Sequence, residues 1–135
     1  MAKNTPFSDI TVLDFSRYLP GGYATQVLAD LGATVIKVED TGLGDFMRHD
    51  YPTKGGGISY YITALGRNKK SVSLNLKNEE VVDWFLKMAQ EADIIVESFR
   101  PGVTAKLGID YESIKKLNPG IIYCSISGYG ANDPR

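Results

Sequence analysis

Cysteine is almost missing from this chain. Cys124 is the single one, so no intrachain disulfide can form and a reducing compartment fits. Histidine is as scarce, His49 being the only one, and no metal site is expected. No apolar run approaches the roughly 20 residues that span a bilayer, so a membrane helix is excluded. The start, MAKNTPFSDI, has no apolar signal core, and cytoplasmic residence is the expectation. An excess of one charge is missing too. Lys and Arg number 15 against 16 Asp and Glu, a net charge of −1, which gives nucleic acid no field to follow. Two phosphate-binding fingerprints are also absent, G-x-G-x-x-G and G-x-x-x-x-G-K-[ST].

What remains is an ordinary globular composition over 135 residues, enough for one domain with one sizeable core. We take residues 1–135 as that single domain. Five short segments rich in Val and Ile run from Asp9 to Phe15, Ala33 to Glu39, Lys70 to Leu76, Ala92 to Glu97 and Gly120 to Ser127. VIKVE and IIVE are nearly continuous in apolar character until an acid ends them, as in parallel strands covered on both faces. Between the strands lie helical periods. Ala24, Val27, Leu28 and Leu31 recur at helical spacing and predict the buried stripe of a first helix, with Gly32 as its left-handed stop. Val82, Phe85, Leu86 and Ala89 predict the stripe of a second, capped by Asn78 and with Glu79 and Glu80 at its positive end. A short helix is expected from Pro101 to Gly108 and another from Tyr111 to Leu117, capped by Asp110. Strand and helix in alternation predict an α/β fold, a doubly wound, mostly parallel Rossmann-like sheet with helices on both faces. Thr41 to Lys69 breaks the rhythm. With Gly55-Gly56-Gly57 inside, it reads as an excursion over the sheet's end, and Tyr60-Tyr61 opens a short helix within it.

The first strand runs into S-R-Y-L-P-G-G-Y-A-T, and an acid, Glu39, follows about 20 residues on, where a dinucleotide fold keeps its ribose-binding carboxylate. Only Gly21 and Gly22 of the glycine pattern are present, so NAD is not expected. Glu39 reads better as a strand end that meets a nearby amide. A ligand of this topology still belongs beyond the carboxyl ends of the strands. Those ends carry Ser16 to Pro20, Glu39-Asp40, Leu76-Lys77, Ser98 to Arg100 and Ser127 to Gly130. The mixture of apolar, aromatic and basic groups suits a long ligand with an anionic end and a neutral body.

The segments VLDFSRYLPGG, LADLGATVIKVE, NKKSVSLNLK, ADIIVESFRPGVTAKLGIDYESIKKLNP and IIYCSISGYG, in that order, resemble the N-terminal part of the class III CoA-transferase family. That family includes formyl-CoA:oxalate and carnitine CoA-transferases and the α-methylacyl-CoA racemases. The resemblance implies coenzyme A or an acyl-CoA as the ligand. It places Leu19 and Pro20 beside the CoA, and Leu74, Asn75, Leu76, Lys77, Ser98 and Phe99 along its adenosine and pyrophosphate. Lys106 falls where the family usually has Arg, a point charge in place of a bidentate fork. Asp40 departs from the pattern, since an Arg that contacts the phosphates commonly stands there. Arg17, Arg67 or Arg100 must then supply the charge, or affinity falls.

By the same resemblance, transferases use an Asp nucleophile that forms acyl anhydride and aspartyl-CoA intermediates. Racemases use a His and an Asp to move the proton beside the thioester carbonyl. In both, these residues follow the GYG segment, so no catalytic residue is expected within this chain and no turnover from it alone. Family members form interlocked homodimers, and the isolated chain is expected to expose apolar surface. A non-catalytic CoA-binding module and a racemase remain alternative readings. Blander roles stand beside the sharp ones. Gly21 and Gly22 serve a tight turn, Lys77 and Lys106 are solvated, Phe99 is core, and Arg67 to Lys70 is a surface turn. His49 is structural, Cys124 is a small buried hydrophobe, and Trp84 lies opposite its helix's main stripe.

Overall fold

The computed structural model describes residues 5–49, 53–54 and 57–130. Gly55 and Gly56 of the glycine run lie outside the described residues. Five strands, β1 (Thr11–Phe15), β2 (Thr34–Glu39), β5 (Lys69–Ser73), β6 (Ile94–Glu97) and β7 (Ile122–Ser125), form one sheet in the order β5-β2-β1-β6-β7. Every pairing in it is parallel. The fold is therefore the α/β Rossmann-like arrangement expected. In the excursion, β3 (Thr53–Lys54) and β4 (Ile58–Ser59) pair antiparallel, a small ladder the sequence reading did not anticipate.

The helices cover both faces. On one side lie α3 (Glu79–Glu91), α4 (Val103–Lys106) and α5 (Tyr111–Leu117); on the other lie α1 (Tyr18–Asp30) and α2 (Tyr60–Leu65). Strand alternation sorts the core accordingly. Leu13, Phe15, Val38 and Ile95 meet Phe85, Ala89 and Ile114 from α3 and α5, and Phe15 and Phe85 pack edge to face at 4.8 Å. Val12, Val35 and Val96 point the other way, against Ala29 of α1. The α3 stripe is the expected one, with Phe85 and Ala89 buried. The caps are as read: Asn78 accepts from Glu80 N–H, and Asp110 accepts from Glu112 and Ser113 N–H. Gly32 stops α1 with φ +105°, a backbone region that costs a side chain dearly.

The face of α1 differs from expectation. Ala24, Val27 and Leu31 point outward and Leu28 is half-buried, whereas Gly21, Gly22, Thr25, Gln26 and Ala29 are buried. The sheet explains why. Under the first turns of α1 the strands present Asp14 beside Lys37, and Lys37 beside Ser71. A polar floor is answered by small and hydroxyl-bearing residues, not by leucines. Gly21 is required by proximity, since a Cβ there would lie 2.1 Å from Ser16 Cβ. Cys124 is likewise corrected. It is exposed, because β7 is an edge strand whose outer side chains, Ile122 among them, lack a covering layer among the described residues.

Candidate functional site

The chain leaves β1 to build β2 and β5 on one side, then returns to build β6 and β7 on the other. The reversal opens a crevice beyond the carboxyl ends of β1 and β6, where open parallel sheets bind ligands. Arg17 N–H donates to Ser98 Oγ at 2.8 Å and ties the two strand ends together. Ser16, just before, is fixed from beneath. Its N–H and hydroxyl donate to Asp14, and its carbonyl accepts from Lys37 Nζ. Tyr18 then enters the helix with φ +61°, a conformation a bulky residue holds only when its surroundings dictate it.

A cleft of about 720 Å³ lies along these ends. Phe15, Val38, Leu74, Leu76, Phe99, Val103 and Leu107 give it an apolar lining, and Arg17, Asp40, Asn75 and Lys77 supply polar groups. The segment Leu74 to Lys77 reaches it because the chain leaves the β5 ladder early. Leu74 N–H donates to Glu39 O, and Asn75 then organises a turn by accepting from Lys77 N–H. A neighbouring hollow of about 420 Å³ shares Leu76, Lys77 and Leu107 and adds Lys106, Glu79 and Asp83.

Of the residues singled out in the sequence, Leu74, Asn75, Leu76, Lys77 and Phe99 line one cleft, and Lys106 lines the hollow beside it. Ser98 sits at the crevice with its hydroxyl accepting from Arg17. Leu19 and Pro20 are not on the cleft wall. They form the exposed first turn of α1, Leu19 being 56% exposed.

Glu39 is fully engaged. Arg48 grips it with two nitrogens at 2.6 and 2.5 Å, Ser71 Oγ donates at 2.6 Å and Asp45 N–H at 2.8 Å. The Arg48 hydrogen bonds lead in holding its pKa near 2. No ribose hydroxyl has a free oxygen to find there. His49 is remote from such chemistry, its Nε2 lying 3.0 Å from Leu43 O. Arg67 and Asn68 clasp Asp30 rather than facing a ligand.

Sequence reasoning missed one assembly. Asp14, Lys37, Asp45 and Lys69 are buried together under α1. Lys69 Nζ donates to Asp14, Gly22 O and Thr25 Oγ1, and Lys37 Nζ lies 2.6 Å from Asp45. Burial, above all, lowers the Lys69 pKa from its ordinary value, against the pull of Asp14. The signal was present in VLDF and VIKVE. A charge inside a strand covered on both faces needs a partner, and two neighbouring strands each carried one.

The cleft thus joins an apolar lining to two cations, Arg17 and Lys77. Of its carboxylates, Glu39 is held by Arg48, and Asp40 meets Arg17 at 3.3 Å and accepts from Gly42 N–H. Residues 7–135 match CoA-transferase family III. The chain belongs to that family.

Among relatives of this CoA-transferase family III chain, the acetyl-CoA:oxalate CoA-transferase of Acetobacter aceti is 43% identical over 129 residues. The match covers 96% of this chain and 33% of that protein. The human succinyl-CoA:glutarate CoA-transferase is also 43% identical over 129 residues, covering 96% of this chain and 30% of its own length. A crystal structure of a CaiB/BaiF family protein from Brucella suis superposes with a TM-score of 0.89 at 39% identity, over 98% of this chain and 36% of that one. The chain thus spans about a third of the length of the relatives it matches. No helix among the described residues is long and apolar enough to cross a membrane.

Proposed function

We propose that the chain is the CoA-binding part of a class III CoA-transferase, which moves CoA between an acyl-CoA and a carboxylic acid. The observation that carries this reading is the cleft at the β1–β6 switch point. Its volume, apolar lining and free lysine match the demands of a pantetheine arm joined to a phosphorylated nucleotide. Lys77 meets the phosphates there, with Lys106 in reserve from the adjoining hollow. Leu74, Leu76 and Phe99 pack against the adenosine and the upper arm. Asn75 and Ser98 supply hydrogen bonds, and Leu19 with Pro20 stands at the outer rim, where the arm leaves the cleft. Resemblance to named CoA-transferases of two substrate pairs supports the reaction class.

The chain alone binds without turning over: Glu39 is held by Arg48, Ser71 and the Asp45 amide, and Asp40 serves the anionic end of the site. Further polypeptide, from the rest of a longer protein or a second copy, covers the outer face of α1. Tyr18, Leu19, Tyr23, Val27 and Leu31 are exposed along it, and contiguous exposed apolar surface marks an interaction site. Titration calorimetry with CoA tests the binding claim. Saturable heat that NAD does not reproduce supports it, and no heat at millimolar CoA refutes it.

A further inference from the structure

Two cations line the cleft itself, Arg17 and Lys77, and several in the surrounding elements are already consumed. Lys37 and Lys69 are buried among Asp14, Asp45 and backbone carbonyls. Arg48 is bidentate on Glu39 and Arg67 on Asp30. Arg17 is different. Its guanidinium touches Asp40 through a single contact of 3.3 Å, and both side chains are partly exposed. What positions it is aromatic. The Phe46 ring lies 4.8 Å from its central carbon and the Phe99 ring 5.8 Å. Ring faces hold a guanidinium without using its N–H edge, which stays able to donate. Asp40 is anchored on its own account, Oδ1 accepting Gly42 N–H at 2.7 Å. Arg17 and Asp40 both line the 720 Å³ cleft.

We propose that Arg17 is a second cation, beside Lys77, that receives an anionic group of the cleft's ligand, and that Asp40 is its resident competitor for the same N–H edge. The inference rests on the CoA reading above, under which that group is a phosphate. One partly exposed contact is worth little to the fold, whereas a phosphate accepts two charge-assisted hydrogen bonds from the guanidinium fork. The exchange therefore favours the ligand, and the strength of the Arg17–Asp40 contact sets how much affinity is withheld. Asp40 thus tunes the site without touching the reacting end.

Calorimetry with two probes on the purified protein tests this: CoA, and pantetheine, which has the arm but no phosphate. Asp40→Asn keeps the Gly42 contact and should tighten CoA about two- to fivefold, the worth of one exposed ion pair. Arg17→Gln should weaken CoA about tenfold or more. In the Arg17→Gln background the gain from Asp40→Asn should shrink towards nothing, and pantetheine should respond to none of these changes. Thermal melts check that each variant is native, and Arg17→Lys, which keeps the charge but loses the fork, stands in if the glutamine variant fails to fold. An equal gain from Asp40→Asn with and without Arg17 would make Asp40 a plain repulsive charge and overturn the competition. Unchanged CoA affinity in folded Arg17 variants would overturn the contact while leaving the CoA reading intact. A parent protein that binds neither probe sinks both.

Discussion

Replacing Asp14 by Asn tests the buried charge assembly with almost no change in shape. Asp14 is fully buried and takes hydrogen bonds from Ser16, Thr25 and Lys69. Its charge also faces Lys37 at 3.8 Å. With Glu39 and Arg48 the assembly balances three acids, Asp14, Glu39 and Asp45, against three cations, Lys37, Arg48 and Lys69. The amide leaves one buried ammonium in excess, and breaking a buried pair from one side costs about 3–5 kcal/mol. For 135 residues, an unfolding entropy of roughly 2.1 cal/mol/K per residue turns that loss into a fall of about 10–18 °C in Tm. Urea unfolding followed by circular dichroism measures it.

The pH dependence of that variant carries a second signature. Asp14 is what raises the Lys69 pKa against burial, so without it the pKa falls further below 10.5. The unfolded chain then holds more protons than the folded one between the lowered folded pKa and 10.5, and stability must rise with pH there. Asp14→Asn should therefore recover part of its deficit as pH rises towards 10.5, more steeply than the parent protein. Combining Asp14→Asn with Lys69→Met should restore much of the loss, because no unpaired ammonium remains. A single-variant loss below about 1 kcal/mol, or losses from the two substitutions that simply add, would refute the claim that these groups act as one unit.

Gly21→Ala should destabilise by about 1–3 kcal/mol, since the new Cβ meets buried Ser16 Cβ at 2.1 Å. Gly22→Ala, whose nearest neighbour is the flexible Met47 methyl at 3.0 Å, should lie within about 1 kcal/mol of neutral by the same urea assay. Glu39 has a folded pKa near 2 against 4.5 ordinarily, so its stabilisation is complete above pH 4.5 and drains as pH falls towards 2. Arg48→Ala should flatten that acid limb, read from urea midpoints at pH 6 and pH 3. Lys77→Ala, at a side chain with no structural partner among the described residues, should leave Tm unchanged and weaken CoA about three- to tenfold in calorimetry.

Legibility in the sequence followed how local each signal was. Asn78, Asp110 and Gly32 mark helix ends through bonds within a few residues, and their roles could be read directly. The α3 stripe was legible because an apolar sheet face lies beneath it. The same rule misplaced α1, whose outer face is the more apolar one, because what lies under it is Asp14, Lys37 and Ser71 from three strands. No window along the helix contains that information. Cys124 was misread because an apolar strand at a sheet edge and one at its centre look alike in sequence. At the cleft, Leu76, Lys77 and Phe99 were legible from their places at strand ends, whereas Leu74 and Asn75 were named only through the family resemblance. Of the three candidate arginines, Arg67 is spent on Asp30, Arg17 lines the cleft beside Phe46, Phe99 and Asp40, and Arg100 is exposed outside its lining.

The strand order also bears on why a dinucleotide topology need not bind a dinucleotide. Such a site asks its second strand for a free carboxylate and its first turn for glycines that admit a pyrophosphate. Here β2 does end in Glu39, but Arg48 from the excursion, with Ser71 and the Asp45 amide, occupies both of its oxygens. Gly21 is used up as well, holding α1 close enough to β1 for Thr25 to reach Asp14 at 2.6 Å. Both features that look like parts of a nucleotide fingerprint are thus consumed in fastening the excursion and the first helix to the sheet. The open volume shifts to the α3–α4 side of the strand ends, where Leu74 to Lys77 and Phe99 face it. Where room for a ligand lies is set by which strand ends stay free, and a shared sheet order alone does not decide that.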